Sequence, residues 1–97
     1  MATHFTNQAT NGTSTEETWA GGMGEVFCDG LLDGAEVYMI SAAAAGGTYG
    51  YSDQEVHFMG ENCLRRQTFL MGAGAIKFEL KNAGDATSIT LKTTGPV

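Results

Sequence analysis

Alternation of apolar and polar side chains is clearest near the C-terminus. Ile76, Phe78 and Leu80 alternate with polar residues, and the same alternation returns at residues 88–92. Successive side chains of a strand point to opposite faces of a sheet, so each segment has one apolar and one polar face. Residues 82–85 between them, Asn-Ala-Gly-Asp, are typical of a turn. The pattern predicts a half-buried antiparallel hairpin on a sheet with one solvent-exposed face.

Shorter segments of the same kind precede this hairpin. They lie at residues 16–20, 25–28, 35–41, 54–59 and 63–71. Two Asp-Gly pairs in residues 29–34 predict a hairpin turn, and residues 42–53 predict a loop with Tyr49 and Tyr51 near its tip. Turn signals recur about every ten residues, as in antiparallel sandwiches and barrels. We therefore predict an all-β fold, a single antiparallel β-sandwich, jelly-roll-like, with seven or eight short strands.

The chain has 97 residues, the length of one domain. Residues 1–15 are polar, with Phe5 as the only large apolar side chain after Met1, and predict an extended N-terminal arm or an edge strand. The sandwich domain is then residues 16–97. The N-terminus has neither the basic region nor the apolar run of a signal peptide, and no apolar run approaches the roughly 20 residues of a membrane span, so no membrane partner is expected.

The net charge is −6, and all five Lys and Arg residues follow position 64. An acidic chain is a poor partner for nucleic acid, because that affinity comes mostly from phosphate neutralisation. The uneven distribution allows two arrangements. The two halves form opposite surfaces of opposite charge, or late strands lie between early ones and the charges interleave. We favour interleaving.

The cysteines, Cys28 and Cys63, form no CxxC or Cys/His motif, so neither a metal site nor a cofactor is expected. We expect thiols packed as small apolar groups. The alternative, a disulfide, requires an oxidising compartment and neighbouring strands.

No motif predicts catalysis. His4 and His57 are far apart in the sequence, and no serine or cysteine lies in a nucleophile-elbow pattern. Asp29 and Asp33 lack the alternating acids of a calcium loop, so a turn is the better interpretation. The glycine-rich segments lack the Lys-Ser/Thr of a phosphate loop. We expect a protein that is not an enzyme.

Four aromatic residues are candidates for a platform on which sugar rings stack: Trp19, Tyr38, Tyr49 and Tyr51. The alternative places Trp19 in the core or in an interface, since Trp is mostly buried in folded proteins.

Two stretches resemble a known family. They are residues 19–37, which begin WAGGMGEV and end LDGAEV, and residues 74–91, which begin GAIKFEL and end ATSITL. They resemble the small β-sandwich proteins of about a hundred residues encoded among the structural genes of tailed bacteriophages. The resemblance covers about two-thirds of the chain. Residues 48–58 are more compact than the family pattern, and the strand with Arg65 and Arg66 has no counterpart in it.

The resemblance implies a virion component assembled in the host cytoplasm, either a capsid decoration or cement protein or a head-fibre or tail adaptor. It implies several copies, with a trimer favoured, and contacts with the major capsid protein or other virion proteins. A glycan-binding module is the alternative. Buried aromatic and Met anchors supply most interface energy. The residues expected in an interface are Phe5, Trp19, Met23, Tyr38, Tyr49 and Tyr51.

Overall fold

Two antiparallel sheets packed face to face make up the fold. The computed structural model describes residues 2–51, 56–60 and 62–96, with the backbone alone for residues 62–64. Within these ranges it contains strands and no helix, which confirms the all-β prediction. The strands are β1 (Ala2–Gln8), β2 (Gly12–Thr13), β3 (Glu17–Trp19), β4 (Gly22–Leu31), β5 (Glu36–Ala42), β6 (Gly50–Tyr51), β7 (His57–Met59), β8 (Asn62–Met71), β9 (Gly74–Lys81) and β10 (Ser88–Thr94).

The strand order is that of a jelly roll. Sheet A has the order β1-β10-β4-β8. In sheet B, β9 and β5 are central, β2 and β3 share the outer edge of β9, and β6 and β7 share the outer edge of β5. Each of these two short pairs fills one strand position, so the described chain forms two four-position sheets, the eight-strand arrangement of a jelly roll. In each sheet a late strand lies between early ones, β10 between β1 and β4 and β9 between β2/β3 and β5, so the charges interleave.

The core lies between the sheets and is filled by the inward side of each strand. Ile76, Phe78 and Leu80 are at most 1% exposed, as their alternation predicts. The neighbouring strand β5 and the strands of the opposite sheet add side chains of similar burial: Val37 and Met39 from β5, Val26 and Cys28 from β4, and Ile89 and Leu91 from β10. Cys28 is fully buried in this core, whereas the Cys63 side chain lies outside the described residues.

The predicted C-terminal hairpin is wrong, because its two strands lie in different sheets. β9 pairs with β5 in sheet B, and β10 pairs with β4 in sheet A. Residues 82–87 instead cross the roughly 10 Å between the sheets. The Thr87 hydroxyl donates to the Leu32 carbonyl at 2.7 Å, and the Ala86 amide donates to Asp33 Oδ2 at 2.9 Å. These bonds tie the crossing to the turn that leads into β5.

Only the second Asp-Gly pair forms a turn. Asp33 and Gly34 have positive φ angles of 48° and 83° and connect sheet A to sheet B, so this turn is not a hairpin. Asp29 and Gly30 lie inside β4, contrary to the prediction. Gly30 has φ 118°, and a Cβ there would lie 2.0 Å from the Ser88 carbonyl oxygen. Glycine serves close strand packing at this position.

The N-terminal residues belong to the sandwich. Residues 2–8 form edge strand β1, paired with β10, and Phe5 is 4% exposed in the core. Of the two structures predicted for this segment, the edge strand is the one observed here. Tyr51 also lies on a strand, β6, paired with Ile40 of β5, and not at a loop tip. The first two residues of the predicted strand 54–59 lie outside the described residues.

Candidate functional site

A buried polar cluster closes one lateral side of the sandwich, between β1 of sheet A and β3 of sheet B. We call it the β1–β3 seam and define it as His4, Ser14, Glu17 and Thr93. With its proton on Nε2, His4 donates to Glu17 Oε1 at 2.8 Å. The Thr93 hydroxyl donates to the same carboxylate oxygen at 2.6 Å. The side chains of His4 and Glu17 are 2% and 18% exposed, so the pair lies largely out of water.

The seam has the residue types of a Ser-His-Glu triad, but its geometry is that of a structural cluster. Ser14 Oγ lies 3.5 Å from His4 Nδ1, longer than a strong hydrogen bond. The same Oγ accepts the Phe78 amide at 2.8 Å, and Ser14 is only 7% exposed. A hydroxyl held in this way by the backbone is poorly placed to attack a substrate. The cluster instead joins β1, β3, β9 and β10.

The outer face of sheet B carries a cluster of aromatic and charged side chains. We call it the tyrosine face and define it as Tyr38, Tyr49, Tyr51, His57 and Lys81. The rings of Tyr38 and His57 stack at 4.3 Å, and Tyr51 meets the Tyr38 ring edge-on at 5.7 Å. Lys81 Nζ donates to the Tyr51 hydroxyl at 2.7 Å and lies 5.5 Å from the Tyr38 ring centre. Cross-strand contacts thus hold the rings in fixed positions.

Carboxylates hold two of the phenol groups of this face. The Tyr38 hydroxyl donates to Glu36 Oε1 at 3.0 Å, and the Tyr49 hydroxyl donates to Glu16 Oε2 at 2.5 Å. The hydrogen bond from Tyr38, with a second one from Asn82, lowers the pKa of Glu36. Burial, followed by the bond to Glu16, raises the pKa of Tyr49 to about 12. The phenol form of Tyr49 is therefore stabilised in the folded chain.

Lys81 is the cation at the centre of the face. Its hydrogen bond to Tyr51, followed by that to Glu79, raises the pKa of Lys81, so its ammonium group stays charged. Lys77 Nζ lies 4.5 Å from the Tyr49 ring centre and provides a second cation–π contact.

The outer face of sheet A carries exposed apolar side chains near its end strand, β8. β8 is the last strand of the sheet and spans ten residues. Leu70 of β8 lies directly opposite Met23 of the neighbouring strand β4, and their side chains are 58% and 52% exposed. A shallow groove of about 230 Å³ continues from this pair, lined by Met23, Gly24, Glu25, Thr68 and Thr94. We call β8, the end strand of sheet A among the described residues, together with Met23 of the neighbouring strand the β8 edge surface.

Charged residues flank the β8 edge surface. Arg66 lies over the ring of Phe27 at 5.6 Å, with its Nε 3.9 Å from Glu25 Oε2. Arg65 opposes buried Cys28 in the pairing, yet its side chain is exposed and donates to the Met59 carbonyl at 2.7 Å. Arg65 thus connects the two sheets on this side of the sandwich.

The residues expected in an interface fall into three places. Phe5 and Trp19 are core residues, 4% and 1% exposed, which corrects their assignment as surface anchors. The Trp19 ring packs on Phe69 at 4.9 Å, and its Nε1 donates to the Gly22 carbonyl. Met23 belongs to the β8 edge surface. Tyr38 and Tyr51 contact each other on the tyrosine face, Tyr49 contacts Glu16 and Lys77, and Trp19 lies apart from them in the core.

Sequence reasoning missed the β1–β3 seam and the partners of the tyrosines. His4 and Thr93 are 89 positions apart, and no motif connects them. In the sequence, Lys81 is one of several polar residues in an alternating segment, and nothing there connects it to Tyr51. The signal that marked the tyrosines was their residue type, which favours contact surfaces.

In the described ranges, no three His, Cys, Asp or Glu side chains lie close enough together to hold a metal ion. The same part of the chain contains no helix long and apolar enough to cross a bilayer.

No family model, curated protein or solved structure matches the chain. The resemblance to phage structural proteins therefore stays a prediction based on the residues that carry it.

Proposed function

We propose that the chain is a non-enzymatic structural protein of a phage virion, one that decorates or cements the capsid as a homo-oligomer. Its partners are the major capsid protein or other virion proteins, and it joins the particle in the host cytoplasm. A trimer is the favoured assembly. A tail or fibre adaptor is the variant of this proposal in which the same surface contacts another part of the particle.

The β8 edge surface is the observation that carries the proposal. The end strand of a sheet can act as a template for a strand of another chain. β8 carries the exposed apolar side chain of Leu70, and the exposed Met23 lies directly opposite it on β4. Interfaces derive much of their energy from such apolar anchors, surrounded by polar residues like Arg66 and Glu25.

The available surface is large enough for this role. A standard interface buries roughly 800 Å² on each partner. That is about a sixth of the 5154 Å² that the chain exposes, so a single sheet face with its edge is sufficient. A compact sandwich also suits a protein that binds without changing shape.

Two measurements test the proposal. Light scattering of the purified chain should give an oligomer, and tagged chain expressed during particle assembly should co-sediment with particles at a fixed copy number. Leu70→Asp should abolish the oligomer or lower particle occupancy at least tenfold, because it places a charge in the contact. Met59→Asp is the matched control, since Met59 is 52% exposed on sheet B.

A wild-type chain that is strictly monomeric and absent from particles would contradict the proposal. Equal loss in the Leu70 and Met59 variants would contradict the assignment of the β8 edge surface. Unfolding midpoints of both variants, measured alongside, show that each is folded.

A further inference from the structure

We infer that the tyrosine face is a binding site for a neutral hexose oligosaccharide, with the ring of Tyr51 as the stacking surface. Tyr51 is 63% exposed, the highest value among the large apolar and aromatic side chains of the described residues. A pyranose presents a flat face of C–H groups that packs on an aromatic ring, and an exposed tyrosine offers such a ring.

The Tyr51 ring is open but held in place. Its hydroxyl accepts a 2.7 Å hydrogen bond from Lys81, and its ring meets Tyr38 edge-on. Tyr38 is in turn stacked on His57 and bonded to Glu36. A ring fixed before the ligand arrives loses little conformational freedom on binding, which favours affinity.

Polar groups around the ring suit sugar hydroxyls. Lys81, which is bonded to the Tyr51 hydroxyl, offers an ammonium donor, and Glu79, which lies 3.1 Å from Lys81, offers carboxylate oxygens that accept hydrogen bonds. Glu36, which is bonded to the hydroxyl of the adjacent Tyr38, adds a second carboxylate to the same face. The Asn82 amide is bonded to Glu36 at 2.8 Å at the same end of the face. A sugar ring on Tyr51 would place its hydroxyl groups near both hydrogen-bond donors and hydrogen-bond acceptors.

This setting favours a glycan over other ligands. The central part of a protein interface is depleted of charged residues, whereas Tyr51 contacts the ammonium group of Lys81, which is itself paired with Glu79. Nucleic acid and anionic glycans need net positive charge, but the chain carries −6, and both lysines of this face already contact tyrosines. A neutral oligosaccharide is the ligand class that fits both the ring and the charge.

The test is an NMR titration of the full chain with cellohexaose, laminarihexaose and chitopentaose, and with a hexagalacturonate as an anionic comparison. We expect at least one neutral oligosaccharide to shift amide signals of β5, β6 and β9. Tyr51→Ala should weaken its binding at least tenfold. Tyr51→Phe retains the ring and should stay within about threefold. Met59→Ala, an exposed control on the same sheet, should bind as the wild type does.

Several outcomes would overturn the inference. They are an absence of shifts with every neutral oligosaccharide at millimolar concentration, shifts confined to sheet A, equal binding by wild type and Tyr51→Ala, or binding of the hexagalacturonate alone. Because this site and the β8 edge surface lie on opposite sheets, Leu70→Asp should leave oligosaccharide binding unchanged. The two proposals therefore succeed or fail separately.

Discussion

The two lateral sides of this sandwich are closed in different ways. On one side, the β1–β3 seam buries a hydrogen-bonded histidine and carboxylate that connect four strands. On the other side, between β7 and β8, the exposed Arg65 side chain donates to the backbone carbonyl of Met59. A buried pair is stabilising only while both partners remain, whereas an exposed contact contributes little. We therefore expect the stability of the fold to depend on the first side much more than on the second.

Deletion of residues 2–8 should have the largest effect. It removes edge strand β1 and the buried Phe5, whose loss alone costs about 3–5 kcal/mol, and leaves Glu17 without its histidine. Since whole domains are stable by about 5–15 kcal/mol, we expect no cooperative thermal transition in near-UV circular dichroism. The double variant Thr3→Ala/Thr6→Ala changes exposed positions of the same strand and should melt like the wild type. A deletion variant that melts normally would show that these residues act as an arm.

Loss of the seam histidine should come next. His4→Ala removes the donor to Glu17 and the partner of Ser14, so we expect a loss of about 2–4 kcal/mol in urea unfolding. Glu17→Gln keeps an acceptor oxygen for His4 and Thr93 and should lose less than His4→Ala. His57→Ala, on the tyrosine face, is the control and should lose about 1 kcal/mol or less. Equal losses for the two histidine variants would remove the distinction between the buried seam and the exposed face.

The smallest effect is expected at the other side. Arg65→Ala removes an exposed hydrogen bond to the Met59 carbonyl, and we expect less than about 1 kcal/mol in urea unfolding. Arg66→Ala, also on β8, is the matched control. If Arg65→Ala destabilised the chain as much as His4→Ala, both sides would be structural and the proposed contact role of the β8 side would lose its basis.

Sequence patterns predicted the secondary structure more reliably than the strand partners. Alternation correctly identified the inward residues Ile76, Phe78 and Leu80, and glycine-marked turns correctly predicted the number of strand positions. The hairpin prediction for β9 and β10 was wrong, because a period of two indicates which face is buried but not which strand lies beside it. An Asp-Gly pair favours a turn locally but does not require one. Asp33 and Gly34 form a turn, whereas Asp29 and Gly30 lie inside β4.

For the candidate sites too, the sequence indicated single residues and only the fold showed their partners. Residue type alone marked Tyr38, Tyr49 and Tyr51 as contact residues, while only the fold placed Lys81 beside Tyr51. The fold also places Phe5 and Trp19, which we had expected in an interface, in the core.

The amino-acid sequence by itself determined that this chain is an all-β domain with an apolar and a polar side to each strand. That follows from local chemistry, because side-chain alternation and turn residues act over a few positions. Only the tertiary structure decided which strands are neighbours, and it brought His4 to Thr93 across 89 positions. Such pairs form when two sheets close over a shared core, and the energy of that closure depends on the whole chain rather than on any one segment.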